Sequence, residues 1–234
     1  MAGVESSTSW TVYDATKLSA REIYGVVLSD LGAARPDIVG LSADLAKSTQ
    51  IGAFGERFPD RFFNFGIAEQ NMFGAAAGFA KMGLTPFVST FSAFASMRAC
   101  EFLRTDVCYQ NLNVKVIATH GGTSFGSAGT THHATEDLSI VRAFANLTVI
   151  VPADGFETAQ AVKKCLDLAG PVYIRIGRGF EPTVYDREDE TFQIGKAVEM
   201  RPGTDITIIA CGPTVFHAVE ASKEIGRASC RERV

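Results

Sequence analysis

The sequence has no long apolar run and no cluster of like charges, and each absence excludes a class of protein. Its apolar stretches are interrupted by glycine, proline or charge well short of the ~20 residues that a membrane-spanning helix needs, so we expect no membrane segment. With 26 acidic and 22 basic residues and a net charge of -4, no basic patch for nucleic acid or an anionic membrane stands out. Small molecules and protein partners remain as ligands.

Metal-binding and export signals are also missing. The five cysteines form no C-x-x-C pair, and the four histidines do not cluster with cysteine at ligand spacing, which argues against a structural zinc site. Residues 1–9 lack the charged and apolar regions of a signal peptide. We therefore expect a reducing, cytoplasmic setting, with any metal arriving together with a cofactor.

Short β-branched runs alternate with longer helical patterns along most of the chain. This alternation predicts an α/β fold, a doubly wound and mostly parallel sheet covered by helices on both faces. The predicted strands are residues 37–41, 62–65, 85–88, 114–119, 148–151 and 172–176, and the predicted helices are residues 17–32, 68–82, 91–110, 136–145 and 156–168. We assign residues 1–183 to this first domain.

A second unit is expected at residues 184–223. It contains predicted strands at 192–200 and 205–211 and a helix that starts after the Gly-Pro-Thr at 212–214. A single βα unit cannot cover its own sheet face, so this portion reads as the truncated start of a second α/β domain. Residues 224–234 change abruptly to Arg and Ser, and one codon choice for them resembles a sequencing-library adapter, so we expect a non-native tail.

One carboxylate stands at a predicted strand-to-helix junction, in residues 62–72 (FFNFGIAEQNM). Ligands of parallel sheets bind at the carboxyl ends of the strands, so Glu69 occupies a favoured position. Burial there would disfavour its charged form and let it donate a hydrogen bond to a ring nitrogen. The first turn of a helix is an equally good place for a negative side chain, and the small residues at 74–78 (GAAAG) also suit plain helix packing.

Two aromatic side chains follow the next predicted strand, in residues 89–97 (STFSAFASM). Phe91 and Phe94 are three residues apart and so share one helix face, where they either stack on a ligand ring or belong to the core.

Polar loop residues recur at the ends of other strands. Asp44 and Ser48 lie in the loop at 41–48 (LSADLAKS), while His120 and His132 lie in two loops expected to converge on one face. Ordinary loop hydrogen bonding would also account for these residue types. Two arginines, Arg21 and Arg178, have side chains suited to bidentate phosphate contact or to surface ion pairs.

Residues 66–72 (GIAEQNM) resemble the cofactor-activating motif of the pyrimidine-binding domain of the transketolase superfamily. The likeness runs from about residue 21 to residue 178. The chain most closely resembles the separate C-terminal subunit of split transketolases, with 1-deoxyxylulose-5-phosphate synthase a weaker match. It implies thiamine diphosphate as cofactor, with Glu69 bonded to the aminopyrimidine ring. The implied reaction moves a two-carbon ketol group between phosphosugars.

The resemblance also implies roles for individual residues. Glu69, His120 and His132 would be catalytic, and this chain would supply no metal ligand. Two further sets follow from the same motifs: the cofactor-binding residues would be Asp44, Glu69, Phe91, Phe94 and Met97, and the substrate-binding residues Arg21, Ser48, His120, His132 and Arg178. Met97 stands where the family often has an aromatic residue, and Ala128 replaces an aspartate that reads donor stereochemistry.

The superfamily holds Mg2+ and diphosphate with a Gly-Asp-Gly segment followed by a distant asparagine, and this sequence has no equivalent. The resemblance therefore implies a partner, the diphosphate-binding N-terminal transketolase subunit. Two copies of each chain would surround a two-fold axis, and this chain would be inactive alone.

Two other functions fit the sequence less closely. One is a 1-deoxyxylulose-5-phosphate synthase-like or 2-oxo-acid decarboxylase beta-type subunit, which would bind the pyrimidine ring of the cofactor in the same way. The other is a non-catalytic assembly subunit, against which the intact Glu69 and Phe91 argue.

Overall fold

The computed structural model describes residues 18–179, 181–186 and 192–231. Residues 1–9, predicted to lack a signal peptide, and the last three residues of the expected tail lie outside these ranges. The centre of the fold is a six-stranded sheet in the order β2-β1-β3-β4-β6-β5, with every neighbouring pair parallel. The strands are β1 (Ile38–Ser42), β2 (Phe62–Asn64), β3 (Thr85–Phe91), β4 (Lys115–Thr119), β5 (Thr148–Ile150) and β6 (Val172–Arg175). The predicted doubly wound α/β fold is confirmed, with all six strands of the first domain near their predicted positions.

Helices connect the strands. They are α1 (Ala20–Ala34), α2 (Ala46–Thr49), α3 (Gly52–Arg57), α4 (Glu69–Lys81), α5 (Cys100–Phe102), α6 (Asp137–Val141), α7 (Gly155–Lys164) and α8 (Thr214–Arg231). Helix α1 begins in a capping box, in which the Glu22 carboxylate accepts a hydrogen bond from the Ser19 backbone N–H at 2.8 Å. Asp154 is the N-cap of α7, since its side chain accepts from the Glu157 N–H at 3.0 Å.

Side chains that alternate along the strands build two apolar layers. Ile38 and Phe87 pack with α1 and α7 on one face, while Leu41 and Val88 pack with α4 on the other. This alternation buries every residue of β1 and β3, which explains why the central strands read as continuous apolar runs.

The strand order reverses beside β1. The chain moves from β1 to β2 on one side and then crosses to β3 on the other, so the loops after β1 and β3 diverge. In open parallel sheets the crevice at such a switch point is the usual place for a ligand.

The helix predicted at residues 91–110 is the largest departure within the sheet domain. Strand β3 continues through Phe91, and the following segment consists of π-helical turns (Phe94–Arg98 and Leu103–Cys108) around the short α5. Two serine hydroxyls bond backbone carbonyls there, Ser96 to Ser92 at 2.7 Å and Ser92 to Thr119 at 3.0 Å. Such bonds compete with regular helical pairing and bend the backbone.

The strands predicted at 192–200 and 205–211 do not form. Residues 201–211 are exposed, and no neighbouring strand among the described residues offers hydrogen bonds to them. An isolated extended segment leaves its backbone groups to water, and β-branched residues alone do not make it a strand. Helix α8 continues to Arg231, so the change of composition at residue 224 does not end it.

Among the described residues, no helix is both long and apolar enough to cross a bilayer.

Candidate functional site

A cavity of about 520 Å³ lies at the switch point, beside the carboxyl ends of β1 and β3. Its walls come from the loop after β1, the start of α4, the π-helical turn after β3 and the loop before α6. The lining residues are Ala43, Asp44, Leu45, Ile67, Glu69, Phe91, Phe94, Arg98, Thr131 and His132. Five of the ten predicted site residues are among them.

Glu69 is a buried carboxylate in this wall. It is the first residue of α4, only 1% exposed, and each of its oxygens accepts a hydrogen bond from Arg98 Nη1 at 2.9 Å. The guanidinium of Arg98 also lies over the ring of Phe94, 4.0 Å from the centroid. Sequence reasoning missed Arg98, because 29 residues separate it from Glu69 and only the fold brings the two together.

An aromatic cluster contributes Phe91, Phe94 and His132 to the cavity wall. Phe91 stacks on Phe94 with 5.4 Å between ring centroids and lies 4.0 Å from the imidazole of His120. Phe125 meets Phe91 and His132 edge-on, each at 5.4 Å, and His132 meets Phe94 at 5.3 Å. The two loop histidines therefore converge as predicted, whereas Phe125 was not identified from the sequence.

His120 is the buried imidazole of the cluster. It is 1% exposed, its backbone has a positive φ of 60°, and its Nδ1 lies 2.8 Å from the Thr119 hydroxyl. Burial, reinforced by the charges of Arg21, Arg178 and His132, lowers the pKa of His120 to about 3. The ring is thus a neutral hydrogen-bonding group at physiological pH.

Arg21, Ser48 and Arg178 lie next to each other beside the aromatic cluster. Arg21 Nε donates to the backbone carbonyl of Arg178 at 2.7 Å, and its Nη1 donates to the carbonyl of Ser48. The Arg178 guanidinium lies 5.0 Å from the Phe125 ring centroid. Burial and the nearby Arg178 lower the pKa of Arg21, although Glu22 and Glu181 oppose this shift. Two positive side chains that repel each other in this way favour an anion nearby.

The other two predicted residues are placed differently. Asp44 lines the cavity with a positive φ of 60°, and its backbone N–H donates to Asn64 Oδ1 at 2.9 Å. Met97 is 43% exposed and is not part of the cavity wall, so its contact with a cofactor stays a prediction.

An ion pair behind the histidines fixes their loops. Arg175 Nε donates to Asp137 Oδ2 at 2.9 Å, and Arg175 Nη2 donates to the Ala134 carbonyl at 3.2 Å. A Cβ at Gly121 would come within 2.6 Å of Arg175 Nε, so only glycine lets the backbone after His120 pass there.

The chain matches a known protein family over most of its length. Residues 16–181 match the family model described as the transketolase pyrimidine-binding domain. The chain belongs to the transketolase family. Its described sheet domain is therefore a transketolase pyrimidine-binding domain, as the motif at 66–72 predicted.

Individual transketolase relatives agree. The chain is 45% identical over 204 residues to a Methanocaldococcus jannaschii protein described as a transketolase C-terminal section, covering 87% of this chain and 65% of that one. It is 36% identical over 217 residues to one of the subunits of the apulose-4-phosphate transketolase of Phocaeicola vulgatus, covering 93% of this chain and 70% of that one. The chain thus spans about two thirds of the length of these relatives.

A solved structure has the same fold. A split-gene transketolase described as an inactive beta4 tetramer superposes with a TM-score of 0.82 at 45% identity, covering 91% of this chain and 69% of that one.

Proposed function

We propose that this chain is the pyrimidine-binding subunit of a thiamine diphosphate-dependent transketolase, a transferase that moves a two-carbon ketol group between sugar phosphates. The observation that carries the proposal is the buried carboxylate of Glu69, which faces the same cavity as the rings of Phe91 and Phe94.

The cavity fits the aminopyrimidine end of the cofactor. A flat, N–H-bearing cation already lies on the Phe94 ring and donates to Glu69, namely the guanidinium of Arg98. The site thus accepts a planar group that presents N–H donors to a carboxylate and a face to an aromatic ring. Glu69, Phe91 and Phe94 would hold the ring, with Asp44 at the cavity mouth. When bound, thiamine diphosphate supplies a nucleophilic carbon for attack on a ketose carbonyl.

The substrate would lie on the side of the cluster that carries the histidines and arginines. His120 and the nearby His132 suit hydrogen bonds to sugar hydroxyls through Nε2, because Nδ1 of each ring already lies against a threonine hydroxyl, that of Thr119 and Thr131 respectively. Arg178 and Arg21 suit the phosphate, with Ser48 beside them.

The charged end of the cofactor needs another chain. The described residues bring no group of three or more His, Cys, Asp or Glu together for a metal ion, and the sequence lacks the family's diphosphate motif. We therefore assign Mg2+ and the diphosphate to the diphosphate-binding N-terminal transketolase subunit, in a cytoplasmic complex with two-fold symmetry. The inactivity of the related beta4 tetramer supports this division of roles.

The decisive experiment replaces Glu69 in the complex reconstituted with its partner. Glu69→Ala should abolish ketol transfer from a ketose phosphate to an aldose phosphate, measured by product formation. Glu101→Ala is the matched control, because Glu101 is an exposed glutamate on α5. Near-normal turnover of the Glu69 variant would refute the assigned role.

The same assay with pyruvate as donor separates the transketolase from a synthase-like enzyme. Such an alternative is relevant because the chain is also 35% identical over 212 residues to 1-deoxy-D-xylulose-5-phosphate synthase of Oleidesulfovibrio alaskensis. Carbon dioxide release from pyruvate, with no reaction of the ketose phosphate, would favour that alternative.

A further inference from the structure

Arg98 contacts the two groups of the cavity that a pyrimidine ring would use, the carboxylate of Glu69 and the face of the Phe94 ring. Its Nη1 donates to the two carboxylate oxygens of Glu69 at 2.9 Å each, and its guanidinium carbon lies 4.0 Å from the centroid of the Phe94 ring. A ring face approached this closely by one flat group is not open to a second from the same side.

The Arg98 side chain can leave this position. It is 41% exposed, whereas Glu69 is fixed at 1% exposure in the first turn of α4. Of the two side chains, the arginine is therefore the one with access to solvent. Its charge keeps a buried carboxylate paired, which matters because an unpaired buried charge is strongly unfavourable.

We propose that Arg98 is a displaceable placeholder, which holds the pyrimidine position in the unloaded subunit and competes with the cofactor ring for Glu69 and Phe94. The inference rests on the proposed function, since it concerns the same cavity. When thiamine diphosphate enters, the guanidinium moves to the solvent side and Glu69 is released to the ring nitrogen. Only subunits in which Arg98 has left Glu69 can bind the ring. The apparent dissociation constant of the cofactor therefore equals the intrinsic constant divided by the fraction of such subunits.

The test is the dissociation constant of thiamine diphosphate, measured by titration calorimetry with Mg2+ on the complex of this chain with its partner. Arg98→Met keeps an unbranched apolar stem and removes the cation. We expect its dissociation constant to fall by about tenfold, the order of effect of one charge-assisted hydrogen bond. Arg104→Met is the control variant, because it removes an exposed arginine from the same segment, and it should leave the constant unchanged.

A second probe distinguishes competition for the ring from a general change in the complex. Inorganic pyrophosphate with Mg2+ carries no pyrimidine, so its affinity should be the same for wild type and Arg98→Met. If Arg98→Met does not assemble, Arg98→Lys serves instead, because it keeps the charge but loses the flat stacking surface. It too should bind thiamine diphosphate more tightly than wild type.

Each outcome decides the question. An assembled variant that binds thiamine diphosphate equally or more weakly overturns the placeholder, and weaker binding would make Arg98 a permanent counter-ion of Glu69. Equal tightening of pyrophosphate overturns it as well. A wild-type complex that binds pyrophosphate but no thiamine diphosphate would instead refute the proposed function.

Discussion

Acidification should destabilise this protein through one buried imidazole, that of His120. Burial and neighbouring positive charge lower its pKa from 6.5 to about 3 in the folded state. Between these two values the unfolded chain binds a proton that the folded chain does not. Stability should therefore fall as the pH decreases from 6.5 towards 3, and His120→Gln should remove this part of the loss.

The size of the effect between pH 7 and pH 5 is set by the ordinary histidine pKa of 6.5, because the folded pKa of about 3 lies well below this range. Proton linkage then gives about 2 kcal/mol of stability lost between pH 7 and pH 5. Water screens this ring little, because His120 is only 1% exposed. The free energy at pH 7 can also change on mutation, since glutamine packs differently against Phe91, so the informative quantity is the difference between the two pH values.

The assay is urea unfolding of wild type and His120→Gln at pH 7, 6 and 5, followed by far-UV circular dichroism. All other titrating groups are shared, so they cancel in the comparison. His217→Gln, at an exposed histidine of α8, controls for replacing a histidine as such. A pH dependence identical in wild type and His120→Gln would show that the imidazole is not desolvated as the structure has it, and would remove the argument for a neutral ring in the site.

Two further substitutions test the framework of the site. Asp137→Asn leaves the largely buried Arg175 without its carboxylate, which should cost about 3 kcal/mol; a midpoint of thermal unfolding close to wild type would contradict this. Lys115 is fully buried, donates to the carbonyls of Leu168 and Gly170, and has its pKa lowered by burial from 10.5 to about 8. Wild type should therefore gain about 2 kcal/mol from pH 8 to pH 10, and Lys115→Met should lack that gain in urea unfolding.

Most of the sheet domain was predictable because its physical signals are local. The strands at 114–119 and 172–176 are mainly apolar, β-branched runs that the fold buries, apart from one cation in each, Lys115 and Arg175, so sequence and burial carry largely the same information. The predictions at 192–200 and 205–211 rested on the same composition and were wrong. A strand also needs a hydrogen-bonded neighbour, and a local pattern carries no information about one.

The residues of the candidate site also fall into two groups, those with a local sequence signal and those without one. Glu69 and Phe91 lie at the start of predicted helices and His132 lies shortly before another, at the ligand-binding edge of the sheet, so topology and motif together pointed to these residues of the cavity wall. Arg98 and Phe125 have no such signal. Their importance comes from contacts with residues distant in the sequence, and an arginine or a phenylalanine taken alone is more often a surface or core residue.

The charges of the cavity wall explain why one end of the cofactor should belong to another chain. The wall contains the carboxylates of Asp44 and Glu69 and the cation of Arg98, which is already bonded to Glu69. A diphosphate placed among these groups would meet two negative side chains and no free positive one among the lining residues, which is unfavourable unless a metal ion accompanies it. An aminopyrimidine ring would meet no such charge repulsion, because it is uncharged and could stack on Phe94 and bond the Glu69 carboxylate once Arg98 has moved aside. The wall therefore favours a ligand whose flat ring enters this subunit while its anionic end lies against a surface that this subunit does not supply.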